Sequence, residues 1–403
     1  MAKAAPHLSA CPKAIRRYAE RVLGLNAYLR APGDGRTAPI LPASDLLWAQ
    51  VMGYLLRESS FRAMEGLSCS GAGRAMGLSR RFGDDALAYF TERLDPTCTR
   101  GAMAGMLRRM KRNKVFAHQP FIGLALDGTG VARCSKARCP LCIARRDAKG
   151  AVTGYRHALV AISVVGGGLC LPFDAEPYGP GDCEYNAGQR LMRRAVEHLG
   201  KRFATHMVVD GEFATAPFLH GATQAGLHVI ARLKDNLPEL NAQARARFEH
   251  SPPHRRMRHG TDVVELWDAD DFDPWETLNW PTVRVLRYRQ HKQDGSVIEA
   301  YWLTDFPPQR ASAPALYQLA KARWEIENQG FNDAKNRYGF KHMPHHHENS
   351  LLIHWLLVFL AMCIERLYRL RYLHRGAQAP LSAIDFLRRL RLTIGRPAPR
   401  APG

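Results

Sequence analysis

The chain has 403 residues, 46% of them hydrophobic, with 57 Lys and Arg against 37 Asp and Glu and a formal charge of +20. That apolar content supports a substantial core in two or three domains and excludes wholesale disorder. The cation excess favours a polyanionic partner, nucleic acid first, over an acidic small molecule; a merely basic solvated surface is the alternative.

Residues 1–115 read as a helical, basic, DNA-binding domain. Ser44-Asp45 offers an N-cap before Leu46, a second helix falls near 84–94, and a third runs from about 99 to 114. On that third helix Met103, Met106, Leu107 and Met110 form a core stripe, and Arg108, Arg109, Lys111, Arg112 and Lys114 occupy the remaining faces. The first 30 residues lack a signal-peptide apolar core.

From residue 116 to 236 the texture is that of strands alternating with helices. Apolar runs at 121–126, 155–165 and 168–173 precede a helix at 187–199, a strand at 205–209, a helix at 216–225 and a strand at 228–233. The order βββαβαβ predicts an α/β fold, a ribonuclease-H-like mixed sheet. Residues 237–310 read as a β-rich insertion, with strand-like runs at 262–267, 282–289 and 297–304. Residues 311–375 return to helices of the same core, and 376–403 form a basic, Pro-containing tail. The apolar run 351–364 contains His354 and is shorter than the roughly 18 residues of a membrane span, so a buried helix is expected. Arg366, Arg369, Arg371, Arg375, Arg388, Arg389 and Arg391 make the end of the chain basic.

Two aspartates close apolar runs: Asp127 after 121–126, and Asp210 after Met207-Val208-Val209. Either one alone is as readily a turn residue. In a ribonuclease-H-like sheet the first and fourth strands are neighbours, which brings the two carboxylates together and calls for cations. A third acid is expected from the helix Arg323-Trp324-Glu325-Ile326-Glu327-Asn328-Gln329-Gly330-Phe331-Asn332-Asp333-Ala334-Lys335. Glu327 shares its side with Arg323, Gly330, Phe331 and Ala334, the face expected to be buried. Glu325 lies with Lys321, Asn328 and Gln329 on the wetter face and is the second choice.

These words, Leu126-Asp127-Gly128-Thr129-Gly130, Val209-Asp210-Gly211 and the Arg-x3-Glu helix, resemble the DDE transposases of bacterial insertion sequences, of the insertion-sequence-4 type. The resemblance covers roughly residues 115–350. It implies that Asp127, Asp210 and Glu327 are the catalytic triad, holding two Mg²⁺ or Mn²⁺ ions. Arg323, Lys335 and Tyr317 would contact DNA, in a protein of the bacterial cytoplasm and nucleoid with no membrane part. It further implies cut-and-paste transposition on double-stranded DNA, both element ends and target, by a synaptic homodimer. A nuclease without strand transfer and a catalytically silent DNA-binding descendant are the alternatives. The family pattern is Tyr-x2-Arg-x3-Glu-x6-Lys. Here Ala320 stands at the Tyr position, with Tyr317 one turn earlier, and Lys335 is one place late, which turns its side chain by about 100°. Trp267, Trp275 and Trp280 in the insertion are candidates, by location, for stacking a flipped base; packing in a small β core is the ordinary alternative.

Nine Cys without a regular framework fit a reducing compartment. Cys139-Pro140-Leu141-Cys142 has metal-knuckle spacing, and Cys134 and His157 offer further zinc ligands, the alternative being a hairpin turn with reduced thiols. His342, His345, His346 and His347 point in different directions and receive no catalytic role, only a solvent- or DNA-facing loop.

Overall fold

A computed structural model describes residues 10–373 and 381–395. Arg375 and, of the basic, Pro-containing tail read above at 376–403, residues 376–380 and 396–403 lie outside the described residues. Ten strands form one mixed sheet: β1 (Gly123–Cys134), β2 (Ile143–Arg146), β3 (Val152–Val165), β4 (Leu171–Tyr178), β5 (His206–Val209), β6 (His228–Leu233), β7 (Arg255–His259), β8 (Asp262–Phe272), β9 (Val283–His291) and β10 (Val297–Thr304). The path β3-β1-β5-β6, with β4 on the outer edge of β3, is the expected ribonuclease-H-like core. Here β1, β3 and β4 are an antiparallel meander, while β5 pairs in parallel with both β1 and β6. Strands buried on both faces read as near-continuous apolar runs, which is why 155–165 and 205–209 were visible in the sequence.

The strands of the insertion do not stand apart: β10 pairs antiparallel with β6, so β10, β9, β8 and β7 prolong the core sheet. Sequence reading passed over β7, an exposed Arg-rich edge, and the helix Pro238–Glu249, whose weak amphipathicity gives little periodic signal. It also ended the first strand at residue 126, whereas β1 runs on to Cys134 as an arm paired with β3.

The N-terminal helices include Ala43–Leu55, Asp84–Arg93 and Pro96–Arg112. Met103, Met106, Leu107 and Met110 are buried as the stripe required. Ser44-Asp45 is not a cap: the helix starts at Ala43, and Asp45 instead accepts from the Ser79 N–H and hydroxyl at 2.7 and 2.5 Å. These helices pack on Glu348–Tyr372, a 25-residue helix long and apolar enough to cross a membrane, although 89% of its most apolar window is buried inside the protein. The Tyr54 hydroxyl meets His354 Nδ1 at 2.8 Å, and Arg57 pairs with the fully buried Glu365 at 2.7 Å.

Candidate active site

The site lies where the parallel pair β1 and β5 ends. Their last paired residues are Ala125 and Val208, so Asp127 and Asp210 each stand two residues further on and share one face of the sheet. Asp127 is inside β1, and Asp210 is the first residue after β5, before the short turn Gly211–Phe213.

The third acid arrives on the helical segment that follows the insertion. Arg323 Nη2 pairs with Glu327 Oε1 at 2.7 Å and its Nη1 reaches Asp127 Oδ2 at 3.3 Å, so one guanidinium spans two of the three acids. Lys234 Nζ holds Asp210 at 2.8 Å. The side chains of Asp127, Asp210 and Glu327 are 14, 30 and 40% exposed, open enough to meet a ligand from solvent.

Glu325 faces elsewhere: its carboxylate accepts from the N–H groups of Gly166 and Gly168 at 2.8 and 3.1 Å, tying down the β3–β4 turn. The expectation of a wetter face for it is corrected by this half-buried anchoring role. All three turn glycines, Gly166, Gly167 and Gly168, have positive φ, which leaves the flanking N–H groups free to converge on one carboxylate.

Lys335 also departs from expectation. Residues Ile326–Asn332 form a π-helical turn, not α-helix. A π turn takes about one residue more than an α turn, so the one-residue delay of Lys335 is absorbed. Its Nζ donates to Thr129 Oγ1 on β1 at 2.5 Å, two residues from Asp127. The π segment also has a tertiary donor: part-buried Arg366 donates to the Gln329 carbonyl and, at 2.9 Å, to Asp333.

Tyr317 does not join the site. It is fully buried, with its ring edge-on to Tyr288 and His259 and its hydroxyl donating to Gln290 Oε1 at 3.4 Å, so it packs against the insertion and offers nothing to a phosphate. Trp267 and Trp280 are likewise buried, Trp267 beneath Arg287 and donating to the Ser251 carbonyl at 2.9 Å, while Trp275 is half-buried. His345 pairs with Glu92 at 2.7 Å.

Glu184, at the start of the helix Glu184–Leu199, escaped sequence reading because an acid in a first helical turn is ordinary. Its carboxylate lies against Gly128, where a Cβ would come within 2.0–2.2 Å of it, and Tyr178 donates to it at 3.3 Å. Glu184 is thus a fourth acid beside Asp127.

The electrostatics follow from this crowding. Burial, opposed by Arg323 and assisted by Glu327, Glu184 and Asp210, raises the Asp127 carboxyl from 3.8 to about 7. Burial also raises Asp210, but the Lys234 ammonium and the Gly211 N–H outweigh it and hold this carboxyl below the usual range. Hard oxygen donors gathered at like-charge cost fit a hard divalent cation. Without such a cation, folded Asp127 keeps its proton up to about pH 7, whereas the unfolded chain loses it near 3.8. The stability it contributes is full below the lower value and is lost as pH rises through the upper one. With Mg²⁺ and Mn²⁺ left out, the urea midpoint is therefore expected to fall across this window, and Asp127→Asn to flatten that slope. Parallel curves for the two proteins would contradict this.

A mixed sheet whose antiparallel meander β1, β3 and β4 continues into the parallel strands β5 and β6, with carboxylates at the end of the parallel pair, is of the ribonuclease-H-like α/β class. The model of the transposase DDE domain matches residues 119–364. That is more than half of the chain, which belongs to this family of transposases. Among solved structures it is similar to a piggyBac transposase, from a cryo-EM synaptic complex with hairpin DNA, with a TM-score of 0.46 and 12% identity over 96% of this chain and 80% of that one. No curated protein matches the chain.

Proposed function

We propose that the chain is an insertion-sequence transposase of the insertion-sequence-4 type, cutting DNA at its element's ends and joining the freed ends to target DNA. The observation that carries this reading is the Arg323 bridge between Asp127 and Glu327 beside Asp210, just past the end of the neighbouring strand. Two Mg²⁺ or Mn²⁺ ions held by Asp127, Asp210 and Glu327 would supply Lewis acidity toward the attacking water or 3′-hydroxyl and toward the leaving oxygen.

The chain's own groups prepare that site. Arg323 orients Glu327 and offsets the charge that its carboxylate and Asp127 bring together, and Lys234 keeps Asp210 ionised. Lys335, beside Thr129, presents a cation where the scissile strand's phosphate would lie. Glu184 adds a further acid beside Asp127. The Arg108, Lys111, Arg112, Lys201 and Arg202 side chains line an open basic groove suited to the flanking duplex. Action as a synaptic homodimer in the bacterial cytoplasm belongs to the same reading.

The test is incubation of the protein and Mg²⁺ with DNA carrying its own element ends, scored for cleavage and strand transfer. Cleavage without joining would favour a nuclease; binding without cleavage, a silent descendant. Two substitutions separate the neighbouring acids. Glu327→Gln is expected to abolish cleavage. Glu325→Gln is expected to cost about 1–3 kcal/mol of stability, through its two backbone N–H partners, and to leave the chemistry intact. The reverse result would transfer the catalytic role to Glu325. Lys335→Gln should weaken binding to the element end and lower the salt slope by about 1.

A further inference from the structure

Away from the carboxylates, β1 continues past Asp127 and ends at Cys134, and the connection to β2 folds back beside β3. Three ligand atoms from Cys134, Cys142 and His157 lie within 4.8 Å of one another. Cys139 joins them: its Sγ is 3.7 Å from Cys142 Sγ and 3.1 Å from His157 Nε2, and Cys142 Sγ is 3.5 Å from the same nitrogen. A tetrahedral zinc with bonds of about 2.3 Å to sulfur and 2.0–2.1 Å to nitrogen holds its sulfurs about 3.8 Å apart and a sulfur and a nitrogen about 3.5 Å apart. The Cys139–Cys142 and Cys142–His157 distances match that set, the 3.1 Å between Cys139 and His157 is shorter than it, and the sulfur–sulfur distance is far longer than the roughly 2.05 Å of a disulfide bond.

The surroundings suit an ion. The Arg138 N–H points at Cys142 Sγ at 3.4 Å and the Cys142 N–H at the Cys139 carbonyl at 3.2 Å, the turn a Cys-x2-Cys knuckle makes around a metal. His157 and Cys142 are buried, and His157 Nε2 faces the two knuckle sulfurs. Three soft thiol donors and one imidazole, with no carboxylate among them, select zinc over the hard cations that suit Asp127 and Asp210.

We propose that Cys134, Cys139, Cys142 and His157 bind one structural Zn²⁺, which pins the arm formed by the end of β1, the 135–142 connection and β2 onto β3. The arm is strongly basic: Arg133, Lys136, Arg138, Arg145, Arg146 and Lys149 are exposed on it, against the single carboxylate of Asp147. A connection this polar, with two short pairing strands, has little apolar surface to hold it, and a metal supplies the missing constraint. The ion fixes those cations relative to Asp127, because β1 carries both Asp127 and the ligand Cys134.

The experiment is metal analysis of the full chain purified without chelator, with Co²⁺ substitution followed by absorption spectroscopy. Stoichiometric zinc, a thiolate-to-Co²⁺ charge-transfer band and tetrahedral d–d bands are expected. Cys139→Ser with Cys142→Ser should lose the zinc and expose the 135–149 segment to faster hydrogen exchange and trypsin, while Cys183→Ser, an exposed thiol elsewhere, keeps both properties. The Co²⁺ spectrum of the unsubstituted chain remains decisive should the double variant misfold. No zinc and no charge-transfer band, zinc content unchanged by the double substitution, or an intact mass revealing a Cys139–Cys142 disulfide would each overturn the proposal. Because the readout needs no DNA, it is independent of transposition: Asp127→Asn should retain its zinc whatever becomes of its activity.

Discussion

Asp127→Asn and Asp210→Asn are each expected to lower the rate of DNA-end cleavage by roughly four to six orders of magnitude, the scale seen when one member of a concerted catalytic group is removed. That corresponds to about 5–8 kcal/mol on the barrier. Asn has the shape of Asp but not its charge, so each substitution removes the affinity for a divalent cation with little change in packing. The stability effects should differ. Asp127 is a carboxyl that burial and neighbouring acids already hold protonated toward neutral pH, so its Asn variant should fold as well as the parent or better. Asp210 is tied to Lys234, and its Asn variant leaves that half-exposed ammonium without its ion pair, a loss of no more than about 1 kcal/mol. Single-turnover cleavage with labelled end DNA, run beside urea denaturation, separates the two readouts. Undiminished cleavage by either variant would remove the metal-pocket reading.

The largest stability effect is expected at Glu365, far from the chemistry. Its side chain is fully buried in the long apolar helix Glu348–Tyr372, where Oε2 accepts from Arg57 at 2.7 Å and from the Tyr338 hydroxyl at 2.8 Å. Arg57 comes from the N-terminal helical region, and Tyr338 lies just beyond the helix that carries Lys335, so one carboxylate joins three parts of the chain. Glu365→Ala leaves the Arg57 guanidinium buried without its counter-charge, and about 3–5 kcal/mol of stability should be lost. Arg57→Met combined with Glu365→Leu removes both charges and should recover most of it, because the desolvation cost disappears with them. Equal urea midpoints for Glu365→Ala and the unsubstituted chain would contradict the assignment, as would a double variant no better than the single one.

What the residues by themselves determined was the frame. Apolar runs buried on both faces announced β1, β3, β5 and β6, and the βββαβαβ order fixed which of them are neighbours. Asp127 and Asp210 are therefore legible as a pair in the sequence itself, because strand burial and parallel topology leave a local mark there. The stripe of Met103, Met106, Leu107 and Met110 was legible for the same reason.

What the tertiary structure decided was direction. Lys335, a residue late by α-helical counting, returns to β1 through a π turn whose Gln329 carbonyl is taken by Arg366 from another helix. Glu325 was assigned a wet face, but its partners are two N–H groups of the β3–β4 turn, remote in sequence. Tyr317 was placed near DNA by family spacing and is instead enclosed by Tyr288 and His259. Glu184 and the convergence of Cys134, Cys139, Cys142 and His157 are likewise products of folding. Periodicity records which face of an element meets the core; it does not record helical phase across an irregular turn, or which distant group a side chain will find, since both depend on contacts made only after the sheet has formed.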